Sequence, residues 1–175
     1  EWQLQEISKT SISDVVVITG FGASKIEKLI EESSFESVRT LFNPFYKNCD
    51  NLGTCWIARG EMNCPFVIIN GDTIFQSAIL EKLIENRSKN SILIACDEKS
   101  DYDADDMKII EERGKVQRVS KTLPTDQVNG ESIGMIRFDS HGAKLFTEQL
   151  EVAMRQDNGL GKWYLSAIDS LANTH

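Results

Sequence analysis

The stretch Phe66-Val67-Ile68-Ile69-Asn70-Gly71-Asp72-Thr73 is the most informative part of this sequence. Its four apolar residues run without a polar break, which is typical of a strand buried on both faces. Gly71 lets the chain turn where the strand ends, and Asp72 follows at the carboxyl edge of the sheet, where open α/β sheets bind ligands. A carboxylate there suits Mg²⁺, which prefers oxygen ligands. The alternative is that Asp72 only caps the helix that follows.

Strands and helices alternate regularly around this stretch. Continuous apolar runs that end at turn residues predict further strands at 14–20 and 91–96. A shorter strand is predicted at 37–41, with Val38 and Leu41 as its apolar members. Apolar residues at helical spacing predict helices at 2–7, 23–30, 52–59 and 76–85. This alternation is typical of a parallel sheet covered by helices.

The second half of the chain follows a different pattern. Two short strands at 107–111 and 116–120 flank a turn that contains Gly114, which predicts a β-hairpin. A strand at 132–138 and helices at 143–154 and 163–171 follow. No linker or repeat divides the chain, so we expect residues 1–175 to form a single domain with a hairpin insertion.

The composition limits the possible functions. The chain has 175 residues, of which 41% are hydrophobic and 26% charged, and its net charge is −8 at pH 7. Because a nucleic-acid-binding protein would show a basic face, we expect no nucleic-acid partner. No apolar run approaches the ~20 residues that a membrane-spanning helix requires, so we expect no membrane partner. The chain does not open with a signal peptide and is expected to be cytoplasmic. Its oligomeric state stays open.

Two further positions have chemistry that suits a ligand. Lys121 ends the second hairpin strand, where it is either solvated or presents a point charge to a phosphate. Gly130 and Glu131 enter the next strand, where they either form a simple turn or bring a carboxylate close to a ligand. The residues alone leave both alternatives open.

Taken in order, these segments resemble the nucleotidyltransferase family of sugar-1-phosphate nucleotidylyltransferases and choline-phosphate cytidylyltransferases. Asn70-Gly71-Asp72 is similar to the Gly-Asp motif of that family, and the later segments are most similar to its choline-phosphate branch. The segments that carry the resemblance are 14–21, 43–46, 48–58, 70–72, 106–108, 119–121 and 130–134.

The resemblance implies a fold and a reaction. The fold is α/β, with a Rossmann-like, mostly parallel sheet of the nucleotide-diphospho-sugar transferase type, flanked by helices. The reaction joins a nucleoside monophosphate from a nucleoside triphosphate to a phosphorylated acceptor, a sugar 1-phosphate or phosphocholine, and releases pyrophosphate. The implied cofactor is Mg²⁺, held by Asp72. The family's Gly-rich phosphate loop and second metal-binding aspartate have no counterpart here, so we expect a chain truncated at both ends.

The resemblance also assigns roles to individual residues. Lys121 would face the acceptor phosphate and act in catalysis together with Asp72. Glu131, with Gly130 beside it, would face the polar or cationic group of the acceptor. The residues expected to contact the nucleotide are Asn51, Gly53, Thr54 and Gly71.

Two other functions remain open at this point. A non-catalytic regulatory or scaffold domain would keep the same fold without the phosphate loop. A metal-dependent glycosyltransferase would usually hold its metal–diphosphate with an Asp-x-Asp pair. The residue two positions after Asp72 is Ile74, which disfavours that reading.

Overall fold

The computed structural model describes residues 1–35 and 37–174, and the helices and strands expected from the apolar patterns are present there, with small shifts at their ends. The helices are α1 (Trp2–Ile7), α2 (Ala23–Glu31), α3 (Asn51–Ala58), α4 (Ser77–Glu85), α5 (Ser140–Met154) and α6 (Leu165–Ala172). The strands are β1 (Val15–Thr19), β2 (Val38–Phe42), β3 (Phe66–Ile69), β4 (Ile92–Asp97), β5 (Lys108–Glu112), β6 (Lys115–Ser120) and β7 (Gly130–Phe138). None of the helices in these described ranges is long and apolar enough to cross a membrane.

The strands form two sheets. β1 and β2 pair in parallel, from Val15 opposite Val38 to Thr19 opposite Phe42. The second sheet has five strands with β7 at its centre, because β3, β4 and β5 all pair with β7. β6 pairs with β5 and completes the expected hairpin. Every pair in this second sheet is antiparallel.

The α/β class, the flanking helices and the hairpin are confirmed, whereas the strand pairing differs in part from the expected mostly parallel sheet. β7 lies between β3 and β4, since Ile68 and Ile94 both pair with Ile136, and β7 runs opposite to both. Among the described strands, only β1 and β2 pair in parallel. A continuous apolar run indicates that a strand lies between layers, but it does not report the direction of the neighbouring strand.

The five-stranded sheet separates two apolar cores. Neighbouring residues of β7 point to opposite faces, so Phe138 packs in one core while Met135 packs in the other with Leu80 of α4. In the first core the Phe138 ring stacks on Phe66 with centroids 4.5 Å apart and lies 4.7 Å from the Phe146 ring of α5. Burying each such side chain stabilises the fold by about 1.5–3 kcal/mol, which fixes β7 between the helices.

The direction of β7 brings several segments to one edge of the sheet. The carboxyl ends of β3 and β4 lie beside residues 131–135 of β7, with Ile69 opposite Met135 and Asp97 opposite Glu131. β5 begins at the same place, because Lys108 also pairs with Glu131. We call this the upper edge; it consists of residues 70–73, 97–108 and 130–134.

Candidate active site

Asp72 lies at the exposed tip of a turn that is held on two sides. On one side, the Asn70 amide donates to the Gly134 carbonyl (2.8 Å), and the Thr73 hydroxyl donates to the β7 backbone (3.0 Å). On the other side, the Gln3 side chain donates to the carbonyl oxygens of Asn70 and Thr73, at 2.8 and 2.7 Å. The turn is therefore fixed to β7 and to α1, and it presents Asp72 to solvent.

Two glycines of this region have different roles. Gly134 has a φ of 77°, and a Cβ on it would lie 2.6 Å from Thr73 Oγ1 and 2.8 Å from Asn70 Nδ2. Only glycine adopts that conformation readily and leaves room for the turn to pack on β7. Gly71 is exposed, and a Cβ there would meet nothing within 4 Å. The surroundings of Gly71 are thus open to a ligand, as its predicted role at the nucleotide requires.

The alternative role of Asp72, capping the next helix, is wrong. α4 begins at Ser77, and the residue at its N-cap is Gln76. The Ser77 amide donates instead to the Glu6 carboxylate of α1 (2.7 Å). The hydrogen bond from Lys9, and then the one from Ser77, hold the pKa of Glu6 below its usual value. The cap of α4 therefore comes from a distant part of the chain.

Tyr164 connects the Asp72 turn to α3. Its hydroxyl donates to Asn70 Oδ1 (3.1 Å), and its amide donates to Asn51 Oδ1 (2.7 Å). The residue is 1% exposed, and burial raises the pKa of its hydroxyl, with smaller contributions from Cys55 and Asp72. Tyr164 therefore stays protonated and acts as a donor that orients Asn70, two residues from Asp72.

Three of the four residues predicted to contact the nucleotide lie on α3. Asn51 begins this helix, and its side-chain oxygen accepts the hydrogen bond from the Tyr164 amide. The Thr54 hydroxyl accepts a hydrogen bond from Asn43 Nδ2 (3.1 Å), and Gly53 is buried in the same helix. These contacts hold α3 against its neighbours, and the roles of Asn51, Gly53 and Thr54 at a nucleotide stay predictions.

Lys121 lies directly after β6, close to the upper edge. Its ammonium lies 4.6 Å from the centre of the Trp163 ring and forms an ion pair with Asp105, whose side chain is 92% exposed. Trp163 directly precedes Tyr164 in the chain. One of these adjacent residues therefore contacts Lys121, and the other contacts the Asp72 turn. An exposed ion pair contributes only about 0–1 kcal/mol, so an incoming phosphate can displace Asp105.

Glu131 has an ionic partner within the protein. Lys99 Nζ lies 2.7 Å from Glu131 Oε1 and 3.1 Å from Asp106 Oδ1, and the two acidic side chains are 15% and 14% exposed. Burial raises the pKa of Glu131, while a hydrogen bond from the Asp103 amide lowers that of Asp106. Gly130, which precedes Glu131, is buried at the start of β7. The direct contact of Glu131 with an acceptor stays a prediction. An acceptor that contacts Glu131 would also lie next to the Lys99 ammonium.

Lys108 is a buried lysine next to this cluster, with 3% of its surface exposed. Its ammonium donates to the Asp103 carbonyl and to the Lys121 carbonyl (3.0 Å), and it lies 3.5 Å from the Asp106 carbonyl. Burying an ammonium is costly unless its donors are satisfied. Lys108 therefore fastens the segment before β5 to the backbone of Lys121.

Several residues of this region are not singled out by sequence patterns. Trp163 and Tyr164 fall in a segment whose apolar spacing predicts only a helix, and Lys99 is one of several charged residues after β4. Their partners are distant in sequence, so no local pattern marks them. Asn70 is an exception, because its place directly before Gly71 puts it at the end of a predicted strand.

The Asp72 carboxylate fits one mode of Mg²⁺ binding. In the described part of the chain, no group of three or more His, Cys, Asp or Glu residues is placed to hold a metal ion. Mg²⁺ commonly binds through one or two carboxylates together with substrate phosphates, and it keeps several waters. An exposed, single carboxylate at the end of β3 suits that mode.

No family model matches the chain, and no curated protein matches it. Its structure is nevertheless similar to solved structures of nucleotidyltransferases. The inositol-1-phosphate CTP transferase from T. maritima has a TM-score of 0.77 at 13% sequence identity, over 99% of this chain and 68% of that one. The chain has a nucleotidyltransferase fold. The fold class inferred from the sequence motifs is therefore confirmed.

Two further structures share this nucleotidyltransferase fold. CTP:phosphocholine cytidylyltransferase from Streptococcus pneumoniae has a TM-score of 0.69 at 14% identity, over 99% of this chain and 71% of that one. A UDP-glucose pyrophosphorylase complexed with UDP-glucose has a TM-score of 0.69 at 13% identity, over 99% of this chain and 74% of that one. At these identities the similarity is one of fold.

Proposed function

We propose that the protein is a nucleotidyltransferase, which transfers a nucleoside monophosphate from a nucleoside triphosphate to a phosphorylated acceptor and releases pyrophosphate. The observation that carries this proposal is the pair of adjacent residues Trp163 and Tyr164, which connects Lys121 to the Asp72 turn. Trp163 lies under the Lys121 ammonium, and Tyr164 holds Asn70 in the Asp72 turn. A carboxylate suited to a metal and a cation suited to a phosphate are thus held by neighbouring residues.

The proposed chemistry needs no covalent intermediate with the protein. A phosphate oxygen of the acceptor forms a bond to the α-phosphorus of the nucleoside triphosphate, while the bond from the α-phosphorus to the oxygen bridging it to the β-phosphate breaks. Pyrophosphate leaves with the electron pair of that bond. Catalysis then consists of positioning and of neutralising the negative charge of the phosphates.

Each residue has a defined part in this scheme. Asp72 would hold Mg²⁺, which neutralises phosphate charge when it is bound. Lys121 would hold the acceptor phosphate in place of Asp105. Asn70, oriented by Tyr164 and by the β7 backbone, would keep the turn rigid so that Asp72 does not move. Asn51, Gly53, Thr54 and Gly71 would form the nucleotide side of the site.

The fold comparisons support the type of reaction. The similar structures are of a CTP transferase acting on inositol 1-phosphate, a phosphocholine cytidylyltransferase and a UDP-glucose pyrophosphorylase. The first two names each give CTP and a phosphorylated partner, and the third gives the nucleotide sugar UDP-glucose.

The first test is the substitution Asp72→Asn, assayed by pyrophosphate release from a nucleoside triphosphate with Mg²⁺ and a phosphorylated acceptor present. We expect turnover to fall by about 100-fold or more, since the amide removes the charge that holds the metal. Asp157→Asn is the matched control, because Asp157 is exposed in the turn after α5, outside the proposed site. Turnover that is unchanged in Asp72→Asn would remove Asp72 from the mechanism.

The second test separates the enzyme from a regulatory domain of the same fold. CTP, UTP, GTP and dTTP are screened by thermal shift with Mg²⁺, because a ligand at 100 times its Kd stabilises the folded state by about 2.7 kcal/mol. We expect one of them to raise the melting temperature and to yield pyrophosphate with an acceptor. Stabilisation without turnover for any acceptor would favour the regulatory domain, and no stabilisation at all would contradict nucleotide binding.

A further inference from the structure

The segment between β4 and β5, residues 98–107, contributes an ionic partner to each residue proposed to face the acceptor. Lys99 pairs with Glu131, and Asp105 pairs with Lys121. The two pairs differ in their surroundings. Asp105 is almost fully exposed, whereas Glu131 is largely buried and Lys99 has a second acidic partner in Asp106. The Asp105 pair is therefore easily exchanged for a ligand, and the Lys99 pair is not.

Glu131 has a cationic partner within the protein, without any ligand. The Lys99 ammonium lies between the carboxylates of Glu131 and Asp106, so each of these carboxylates already has a cationic partner. The Lys108 ammonium has the backbone carbonyls of Asp103 and Lys121 as partners, so its donors are satisfied as well. A cationic group of a ligand would have to share the Glu131 carboxylate with the Lys99 ammonium, which repels it.

We propose that Lys99 selects the acceptor by its charge. Because the Lys99 ammonium already pairs with the Glu131 carboxylate, the acceptor is the phosphate monoester of an uncharged polyol or sugar and carries no cationic group. This inference rests on the proposed function, and it narrows the polar or cationic group expected at Glu131 to a polar one. The acceptor phosphate takes the place of Asp105 at Lys121, and hydroxyl groups of the polyol extend toward the Lys99 cluster.

The hydrogen-bonding capacity of the ligands supports this choice. The ammonium of Lys99 donates hydrogen bonds to two largely buried carboxylates. A quaternary ammonium such as that of phosphocholine has no N–H group, so it cannot replace these bonds after displacing Lys99. Glu131 would then lose its ionic donor and Asp106 would keep only the Asp103 amide, which is unfavourable for largely buried acceptors. Polyol hydroxyls can instead donate to carboxylate lone pairs that Lys99 leaves available.

The test measures acceptor binding by calorimetry, with Mg²⁺ and a stabilising nucleotide present. The probes are glucose 1-phosphate, inositol 1-phosphate and phosphocholine. We expect the protein to bind one of the two polyol phosphates about tenfold or more tightly than phosphocholine. In Lys99→Met the cation is lost while the length of the side chain is kept, so the ratio should fall at least about fivefold as phosphocholine gains affinity.

Two further variants test whether the positive charge of Lys99 causes the preference for a polyol phosphate. Lys99→Arg keeps the positive charge and the N–H donors, so it should retain the preference for the polyol phosphate. Lys144→Met removes a lysine from an exposed pair on α5 and should leave the ratio unchanged. Because Lys99→Arg and the unmodified protein are both expected to fold, the inference remains testable even where Lys99→Met unfolds.

The outcomes are distinguishable. Tighter binding of phosphocholine by the unmodified protein, or a ratio that does not change in Lys99→Met, overturns the assignment to Lys99 while pyrophosphate release still supports a nucleotidyltransferase. Binding of none of the three acceptors, together with no pyrophosphate release, contradicts the proposed function and the inference with it.

Discussion

The Asp72 turn and the segment 98–107 lie at the same edge of the sheet, but they are held in different ways. The turn is fixed by hydrogen bonds with the β7 backbone and with the Gln3 side chain of α1. The segment 98–107 depends mainly on charged side chains, through Lys99, Asp105 and the buried Lys108. In the proposed function, the rigid Asp72 turn would hold the metal, and the segment 98–107, which is held by charged side chains, would select the acceptor.

The difference indicates where mutations should act. Hydrogen bonds and close packing at the turn are short-ranged and insensitive to salt, so changes there should alter stability and the position of Asp72. Ion pairs at exposed positions are weak and screened by salt, so changes there should alter ligand binding more than stability.

Gly134→Ala should give the largest effect on stability. The substitution places a Cβ 2.6 Å from Thr73 Oγ1 at a residue whose φ is 77°, so we expect a loss of about 2–4 kcal/mol in the free energy of unfolding. Chemical denaturation measures this loss. Gly60→Ala is the matched control, since a Cβ at Gly60 meets nothing within 4 Å. Equal stability of the two variants would show that the turn does not pack on β7 as described.

Tyr164→Phe should give an intermediate effect. It removes the hydroxyl that donates to Asn70 Oδ1, which should lower the free energy of unfolding by about 1 kcal/mol. It should also slow pyrophosphate release, because the Asn70 side chain then loses the donor that orients it. For stability, Tyr46→Phe is the comparison, since Tyr46 packs against Phe42 and Gly20, outside the Asp72 turn. A Tyr164→Phe variant as active and as stable as the original would separate this hydroxyl from the site.

Asp105→Asn should give the smallest effect on stability, below about 0.5 kcal/mol, because the ion pair with Lys121 is exposed. It should lower the KM for the acceptor about two- to threefold at low salt, and the difference should shrink at high salt as screening increases. Asp101→Asn, in the same segment, is the control for net charge. A KM that rises in Asp105→Asn would mean that Asp105 assists the acceptor phosphate and does not compete with it.

The elements and the position of Asp72 follow from local patterns in the sequence. The apolar run at Phe66–Ile69 ends at Asn70-Gly71-Asp72, and turn chemistry together with strand burial is enough to place that aspartate at a strand end. The hairpin around Gly114 and the helices follow from spacing in the same way. These features depend on neighbours a few residues apart, which is the range that periodicity reports.

The tertiary structure decided what those residues contact. β7 follows β5 and β6 in the chain and inserts between β3 and β4. The apolar runs of these strands do not encode this order. The cap of α4 by Glu6, the bond from Tyr164 to Asn70 and the pairing of Lys99 with Glu131 all join residues that are distant in sequence. Such contacts depend on how whole elements pack. The sequence by itself therefore determined where the Asp72 carboxylate lies. Only the folded chain showed that Glu131, which is proposed to face the acceptor, already pairs with a lysine.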